Sequence, residues 1–306
     1  MTLSVVMVTY NAKDVVGGAL ESIKGIADEV LVGDGGSRDG TVDIVRKFGA
    51  KIIQQNDAGS PIRSGMTNKN LGERKQELVE MARGEWILVL DADERVSEEL
   101  VEEICVIANK PTSSETRRGF LGRRKGFPRD DNFAVAYRIP YQNYVFGKPV
   151  YFGGEKYAKV RLFRGGCGRI SPELLHEEIK LDPRLRGDDN RVGELKGKMH
   201  HHSYRSSWQL ISKFTRYAWM AAEKEIASPS ERSRNDIVRR IFLHGPHMFW
   251  ARFVTEMGYK DGWHGLVLAA AFGYMEGLTY WFSLVRNISQ GRAPSQKPRV
   301  RSQKKP

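Results

Sequence analysis

Two aspartates flank a single alanine at Asp91-Ala92-Asp93, directly after the uninterrupted apolar run Trp86-Ile87-Leu88-Val89-Leu90. Carboxylates at that spacing on a strand end project to the same side and can share a hard divalent cation. Such a cation keeps several waters and takes substrate phosphate oxygens as its remaining ligands. A second acid, Asp34, precedes Gly35-Gly36-Ser37. It can accept hydrogen bonds from a ribose or a base edge, and the glycines let a ligand approach the backbone. In the same turn, Ser37 or Asp39 suits the cap of a helix starting at Thr41. Farther along, His176, Glu177 and Glu178 are candidates for a general base that takes a proton from an attacking hydroxyl. His200-His201-His202 invites a metal reading, but neighbouring side chains diverge along a strand, so the three cannot all reach one ion. No further His or Cys lies close in sequence to complete a zinc site.

The elements that must position these residues follow from apolar periodicity. Residues 3–8, 29–32, 51–54 and 86–90 read as strands, and residues 13–26, 41–48 and 71–82 have helical spacing. Strand alternating with helix is the pattern of a doubly wound α/β sheet. Ligands of such sheets sit beyond the carboxyl ends of the strands. Three strand ends carry polar clusters: Thr9-Tyr10-Asn11, the turn at Asp34, and Asp91-Ala92-Asp93-Glu94. An aspartate at a strand end is also an ordinary turn or cap residue. Three such ends converging on one crevice argue for a ligand site. Residues 134–139 and 160–163 read as further strands at the edge of a mixed sheet. Residues 110–131 and 182–194 are polar, lack apolar periodicity and read as surface insertions.

Charge and composition narrow the function. The 306 residues include 49 Lys and Arg against 37 Asp and Glu, a net charge of +12. Residues 290–306 hold six basic residues and no acid, and residues 110–131 hold seven basic and three acidic residues. Together they carry most of the excess, so the rest is nearly neutral and no nucleic-acid groove is expected. Two cysteines, Cys105 and Cys167, exclude a disulfide framework and fit a reducing compartment. The first residues lack the basic lead-in of a signal peptide, so a cytoplasmic location is expected.

Several of these segments, taken together, resemble family 2 glycosyltransferases of the GT-A fold. They are Ser4-Val5-Val6-Met7-Val8-Thr9-Tyr10-Asn11, residues 29–41 (EVLVGDGGSRDGT), Asn70-Leu71-Gly72-Glu73-Arg74 and residues 86–94 (WILVLDADE). Arg161-Leu162-Phe163-Arg164, His176-Glu177 and His201-His202-Ser203-Tyr204 look like the branch similar to lipopolysaccharide-core glucosyltransferases. The resemblance implies a Rossmann-like GT-A domain over residues 1–205 with a mixed central sheet. It implies a metal-dependent, inverting transfer of one sugar from a nucleotide-diphospho-sugar, UDP-glucose or a relative, to a cell-envelope glycan or glycolipid. Thr9, Tyr10 and Asn11 would line the base pocket, Asp34 would hold base or ribose, and Arg74 would lie near the diphosphate. Asp91 would contact the ribose side, and Asp93 would bind Mg²⁺ or Mn²⁺. His201 would complete the metal shell or touch the diphosphate, and Glu177, beside His176, is favoured as the base. Many members carry a further acid where Gly35 stands here, which leaves the base identity open. Arg205-Ser206-Ser207-Trp208 is not the Q-x-x-R-W signature of processive synthases, in keeping with single addition.

From residue 206 the character changes. Trp208, Ile211, Phe214, Tyr217, Ala218 and Ala221 mark one face of an amphipathic helix. Residues 242–263 mix aromatics with His, Arg and Lys, and residues 266–285 have bilayer-spanning length, interrupted by Glu276, Gly273, Gly277 and Thr279. We expect residues 206–289 to form a helical, membrane-associated region followed by a disordered basic tail at 290–306. Contact with an anionic inner-leaflet surface is preferred over spanning. Two competing readings are a sugar nucleotidylyltransferase, disfavoured by the absence of a Gly-rich triphosphate loop within residues 9–18, and a non-catalytic membrane-binding module, which leaves the strand-end clusters unexplained.

Overall fold

Strand β1 (Leu3–Thr9) alternates two apolar faces, and both are covered. Leu3, Val5 and Met7 pack with Val16, Ala19 and Leu20 of helix α1 (Lys13–Ser22), while Val6 packs with Leu78 and Val79 of α3 (Leu71–Met81). A strand buried on both sides favours apolar residues throughout, and a buried exception, Ser4, donates its hydroxyl to Glu29 at 2.6 Å. The computed structural model describes residues 1–54, 71–108, 134–171, 178–181, 192–227 and 234–289. The expected insertion at 110–131 and the tail at 290–306 lie outside the described residues, as does most of 182–194.

The chain divides into two compact units, Met1–Arg205 and Ser206–Pro306. In the first, β2 (Glu29–Asp34), β3 (Lys51–Gln54) and β4 (Trp86–Val89) join β1 in parallel register, with α2 (Thr41–Lys47) between β2 and β3. Next come β5 (Glu94–Val96), α4 (Glu98–Ile107), β6 (Ala136–Val145), β7 (Lys148–Val150), β8 (Ala158–Arg164), β9 (Gly168–Ile170), β10 (Ile179–Leu181), β11 (Val192–Glu194) and β12 (Met199–Tyr204). The sheet order is β3-β2-β1-β4-β8-β6-β12-β5, with β7 and β11 also paired to β6. This is a mixed α/β sheet, since β8 runs antiparallel to β4 and β6 antiparallel to β8.

Three expectations change. The two strands read as an edge are internal, because β8 lies between β4 and β6, and β6 is in turn flanked by β12. Residues 192–194, read as the end of a surface insertion, form β11 parallel to β6. Helix α1 stops at Ser22 rather than residue 26, since Gly25 takes φ +83 and Ser22 Oγ accepts Val96 N–H from β5. Helix α4 adds to the expected elements and is capped by Ser97, whose Oγ accepts both Leu100 N–H (3.2 Å) and Lys198 N–H (3.0 Å).

The second unit is helical: α5 (Ser207–Ala227), α6 (Arg234–Trp250), a π-helical turn at Ala251–Thr255 and α7 (Gly262–Ser289). The buried stripe of α5 is Leu210, Phe214, Ala218 and Ala222. The expected face is therefore rotated: Trp208 is 77% and Ile211 48% exposed. Helices α6 and α7 cross at Gly245 and Gly273, where a Cβ on Gly245 would stand 2.9 Å from the Gly273 carbonyl oxygen. An open apolar groove beside this crossing is lined by Ile241, Phe249, Tyr274, Leu278 and Trp281. Among the described residues, no helix is long and apolar enough to cross a membrane.

Candidate active site

The carboxyl ends of β1, β2 and β4 lie side by side, since β1 pairs with both neighbours. At the β2 end, Asp34 is almost fully buried. Its Oδ2 accepts Gly36 and Ser37 N–H, and its Oδ1 accepts the hydroxyls of Ser37 (2.6 Å) and Thr9 (3.1 Å). Four donors fill the usual capacity of a carboxylate, so Asp34 holds the Gly35-Gly36-Ser37 turn in place. Asn11, at φ +46, closes the same loop: its N–H donates to Ser37 Oγ and its Oδ1 accepts Arg38 N–H. Asp39 accepts Lys13 and Thr41 N–H, tying α1 to the start of α2. Tyr10 sits half-buried between Thr9 and Asn11.

The two carboxylates of Asp91-Ala92-Asp93 turn to different partners. Asp91 is held by two buried cations, Lys75 Nζ at 2.6 Å and Arg161 Nη2 at 3.2 Å. Burial opposes its charge, but Lys75 and Arg161 outweigh this and hold the carboxyl well below the ordinary aspartate range. The same guanidinium reaches Glu94 Oε1 (3.4 Å) and donates through Nε to Tyr141 Oη (2.6 Å), and Glu94 accepts Asp91 N–H. Burial raises the Tyr141 hydroxyl far above its usual range, so it stays protonated. The α3 cation at Asp91 is Lys75, and Arg74, the residue expected near the diphosphate, is buried one position before it.

Asp93 turns to β12 instead, where its Oδ2 stands 3.6 Å from His201 Nε2. Alternation along β12 separates the histidine run. His201 shares the Asp93 face with Ser203, while Tyr144 Oη lies 2.8 Å from His200 Nδ1 and its ring stacks on His202 at 4.4 Å. Burial lowers the pKa of both outer histidines. A carboxylate oxygen and an imidazole nitrogen opposed at this distance suit a divalent cation that draws its other ligands from a diphosphate and water. Among the described residues no group of three or more His, Cys, Asp or Glu could hold a metal, so Asp93 and His201 are the two candidate ligands of these types that the described residues supply here.

His176 and Glu177 lie outside the described residues. Glu178 is exposed, and its carbonyl accepts Ser171 N–H beside the β9–β10 ribbon. Sequence reasoning missed Lys75, Tyr141, Asn143, Glu155 and Tyr157 as site residues, and placed Glu94 at the strand end without a role. Arg161 was visible only through the Arg161-Leu162-Phe163-Arg164 pattern, with no role attached. Lys75 was within reach, because one step along a helix turns the side chain by about 100° and selects a different neighbour.

The family model described as Glycosyl transferase family 2 matches residues 4–156. An uncharacterized glycosyltransferase of Rickettsia typhi is 35% identical over 102 residues, covering 33% of this chain and 31% of that protein. The chain thus spans about a third of the length of such relatives. Lipopolysaccharide core biosynthesis glycosyltransferase LpsC of Rhizobium meliloti is 25% identical over 303 residues, 98% of this chain and 96% of that protein. The solved structure of S. aureus TarS 1–349 covers 95% of this chain and 92% of its own at 13% identity, with a TM-score of 0.39.

Proposed function

The chain belongs to glycosyl transferase family 2, and from that premise we propose a metal-dependent, inverting transfer of a single sugar from a nucleotide-diphospho-sugar. The donor is UDP-glucose or a close relative. The acceptor is a cell-envelope glycan or glycolipid such as lipopolysaccharide core, a reading supported by the near full-length similarity to LpsC. The observation that carries the metal assignment is the opposition of Asp93 and His201 at a central strand end, beside an Asp91 already neutralised by Lys75 and Arg161.

Each residue then has a task. Thr9, Tyr10 and Asn11, with the turn held by Asp34, receive the base and ribose. Asp91, fixed between Lys75 and Arg161, accepts a ribose hydroxyl, and Arg74, on the same helix as Lys75, lies near the diphosphate. Asp93 and His201 would hold Mg²⁺ or Mn²⁺, which when bound stabilises charge on the leaving diphosphate. Glu177, with His176 and Glu178 as alternatives, takes the proton from the acceptor hydroxyl as its oxygen bonds to the anomeric carbon and the bond to the diphosphate breaks.

The helical unit supports a peripheral location at the cytoplasmic membrane surface. Of six tryptophans, five (Trp208, Trp219, Trp250, Trp263 and Trp281) lie in it and are exposed. Tryptophan favours the membrane–water interface, and the basic tail adds attraction of about 1 kcal/mol per Lys or Arg near an anionic leaflet. A panel of nucleotide sugars with Mn²⁺ or Mg²⁺ tests the donor reading by thermal shift and donor hydrolysis. We expect one uridine donor to stabilise the protein and to be hydrolysed slowly. Stabilisation by no nucleotide would refute the reading.

A further inference from the structure

Asn143 on β6 lies opposite His201 on β12 and joins it to a buried carboxylate. Its Nδ2 donates to Glu155 Oε2 at 2.7 Å. Its Oδ1 stands 3.0 Å from His201 Nδ1 and accepts the Tyr157 hydroxyl at 3.2 Å. The orientation of this amide follows from chemistry. An ionised glutamate only accepts, so the NH₂ end of Asn143 must face Glu155 and the carbonyl end must face His201. Burial pushes the Tyr157 hydroxyl up, so it remains a donor to the same carbonyl oxygen. With an acceptor fixed at Nδ1, the imidazole carries its hydrogen there, and Nε2 is left with a lone pair aimed at the Asp93 carboxylate. The Ser203 hydroxyl lies 2.6 Å from Nε2 and 2.9 Å from Nδ1. Without metal it can give its hydrogen to the Nε2 lone pair or accept from Nδ1–H beside Asn143, both of which keep the Nδ1–H tautomer. A cation at Nε2 would displace it from that lone pair.

We propose that Glu155, acting through Asn143, is a positioning residue that sets the His201 tautomer and presents its Nε2 lone pair to a divalent cation opposite Asp93. The inference rests on the Asp93–His201 metal reading and extends it to two residues that touch neither donor nor metal. Outer partners of this kind orient a metal-binding histidine and raise its basicity. The Tyr141 ring, edge-on to His201 with centroids 6.0 Å apart, limits rotation of the imidazole but has no say in its protonation.

Glu155→Gln removes the constraint, since the new amide can donate or accept and Asn143 is free to flip. Adding Asn143→Asp exchanges acid and amide, restoring an acceptor-only group toward His201. Full-length proteins are compared by Mn²⁺ binding in solution and by imidazole ¹⁵N NMR without metal, with the His201 signal identified by its loss in His201→Gln. We expect Glu155→Gln to mix the His201 tautomers and weaken Mn²⁺ binding about tenfold or more. The exchanged pair should regain the Nδ1–H tautomer and most of the affinity. A packing role alone would lower thermal stability without moving the tautomer. If His201→Gln binds Mn²⁺ as tightly as the parent, the metal reading fails and this inference with it. If His201→Gln weakens binding while Glu155→Gln changes neither tautomer nor affinity, only the inference fails.

Discussion

The two units put the same kinds of residue to opposite uses. The sheet unit buries Trp86 in its core and encloses Lys75, Arg161 and Glu94 with it. The helical unit leaves five tryptophans at its surface, and one of its buried clusters holds only Ile237, Tyr280 and Leu284. Enclosing charge is costly unless each group is paired, and the sheet unit pairs them through Asp91, Glu94 and Tyr141. That arrangement yields fixed electrostatics at a strand end. Exposed aromatic surface yields no such precision, but it supplies area for contact with an apolar interface.

The sharpest way to break this contrast lies within three residues. Asp93→Asn should reduce transfer on the order of 10²–10³-fold while leaving unfolding in urea unchanged. Asp91→Asn should instead destabilise the fold by about 3–5 kcal/mol, because Lys75 and Arg161 lose their shared carboxylate. Equal stability of the two variants would show that the buried network is not what holds the strand end.

Tryptophan substitutions compare the units directly. Trp86→Ala should cost about 3–5 kcal/mol in urea denaturation, whereas Trp250→Ala should stay within about 0.5 kcal/mol. In flotation with anionic vesicles the exposed site should matter and the buried one should not. A large stability loss in Trp250→Ala would assign that side chain to packing.

The smallest effect concerns pH. Burial lowers the pKa of His200 and His202 in the folded chain, so the unfolded chain binds more protons as pH falls through about 6.5. Stability should therefore decline on acidification from pH 7 toward 5. The decline should shrink in a His200→Gln, His202→Gln variant, as read by melting temperature across that range.

The parallel half of the sheet was legible because β1, β2 and β4 are apolar enough to announce themselves, and the strand-end rule then located Asp34, Asp91 and Asp93. The later strands were harder. β7, β9, β10 and β11 are three residues each, too short for any period to register. The roles of Lys75 and Arg161 depend on side chains meeting across α3, β4 and β8, 16 and 70 positions from Asp91, and local spacing carries no trace of that. The buried face of α5 was misread because Trp208 and Ile211 are apolar yet exposed. Hydrophobicity alone does not say which surface will be covered.

The run of three histidines has a consequence for how β12 is held in place. A one-residue slip of the strand would still offer Asp93 an imidazole, from His200 or His202, so the ligand type is indifferent to register. The core is not. Met199 and Ser203, both buried, would turn to the opposite face. The irregular pairing between His201 and Tyr204 lies at this point and ties the strand to a single alignment with β6. Correct seating of β12 is thus secured by its neighbours in the sequence rather than by the residue that would bind the metal.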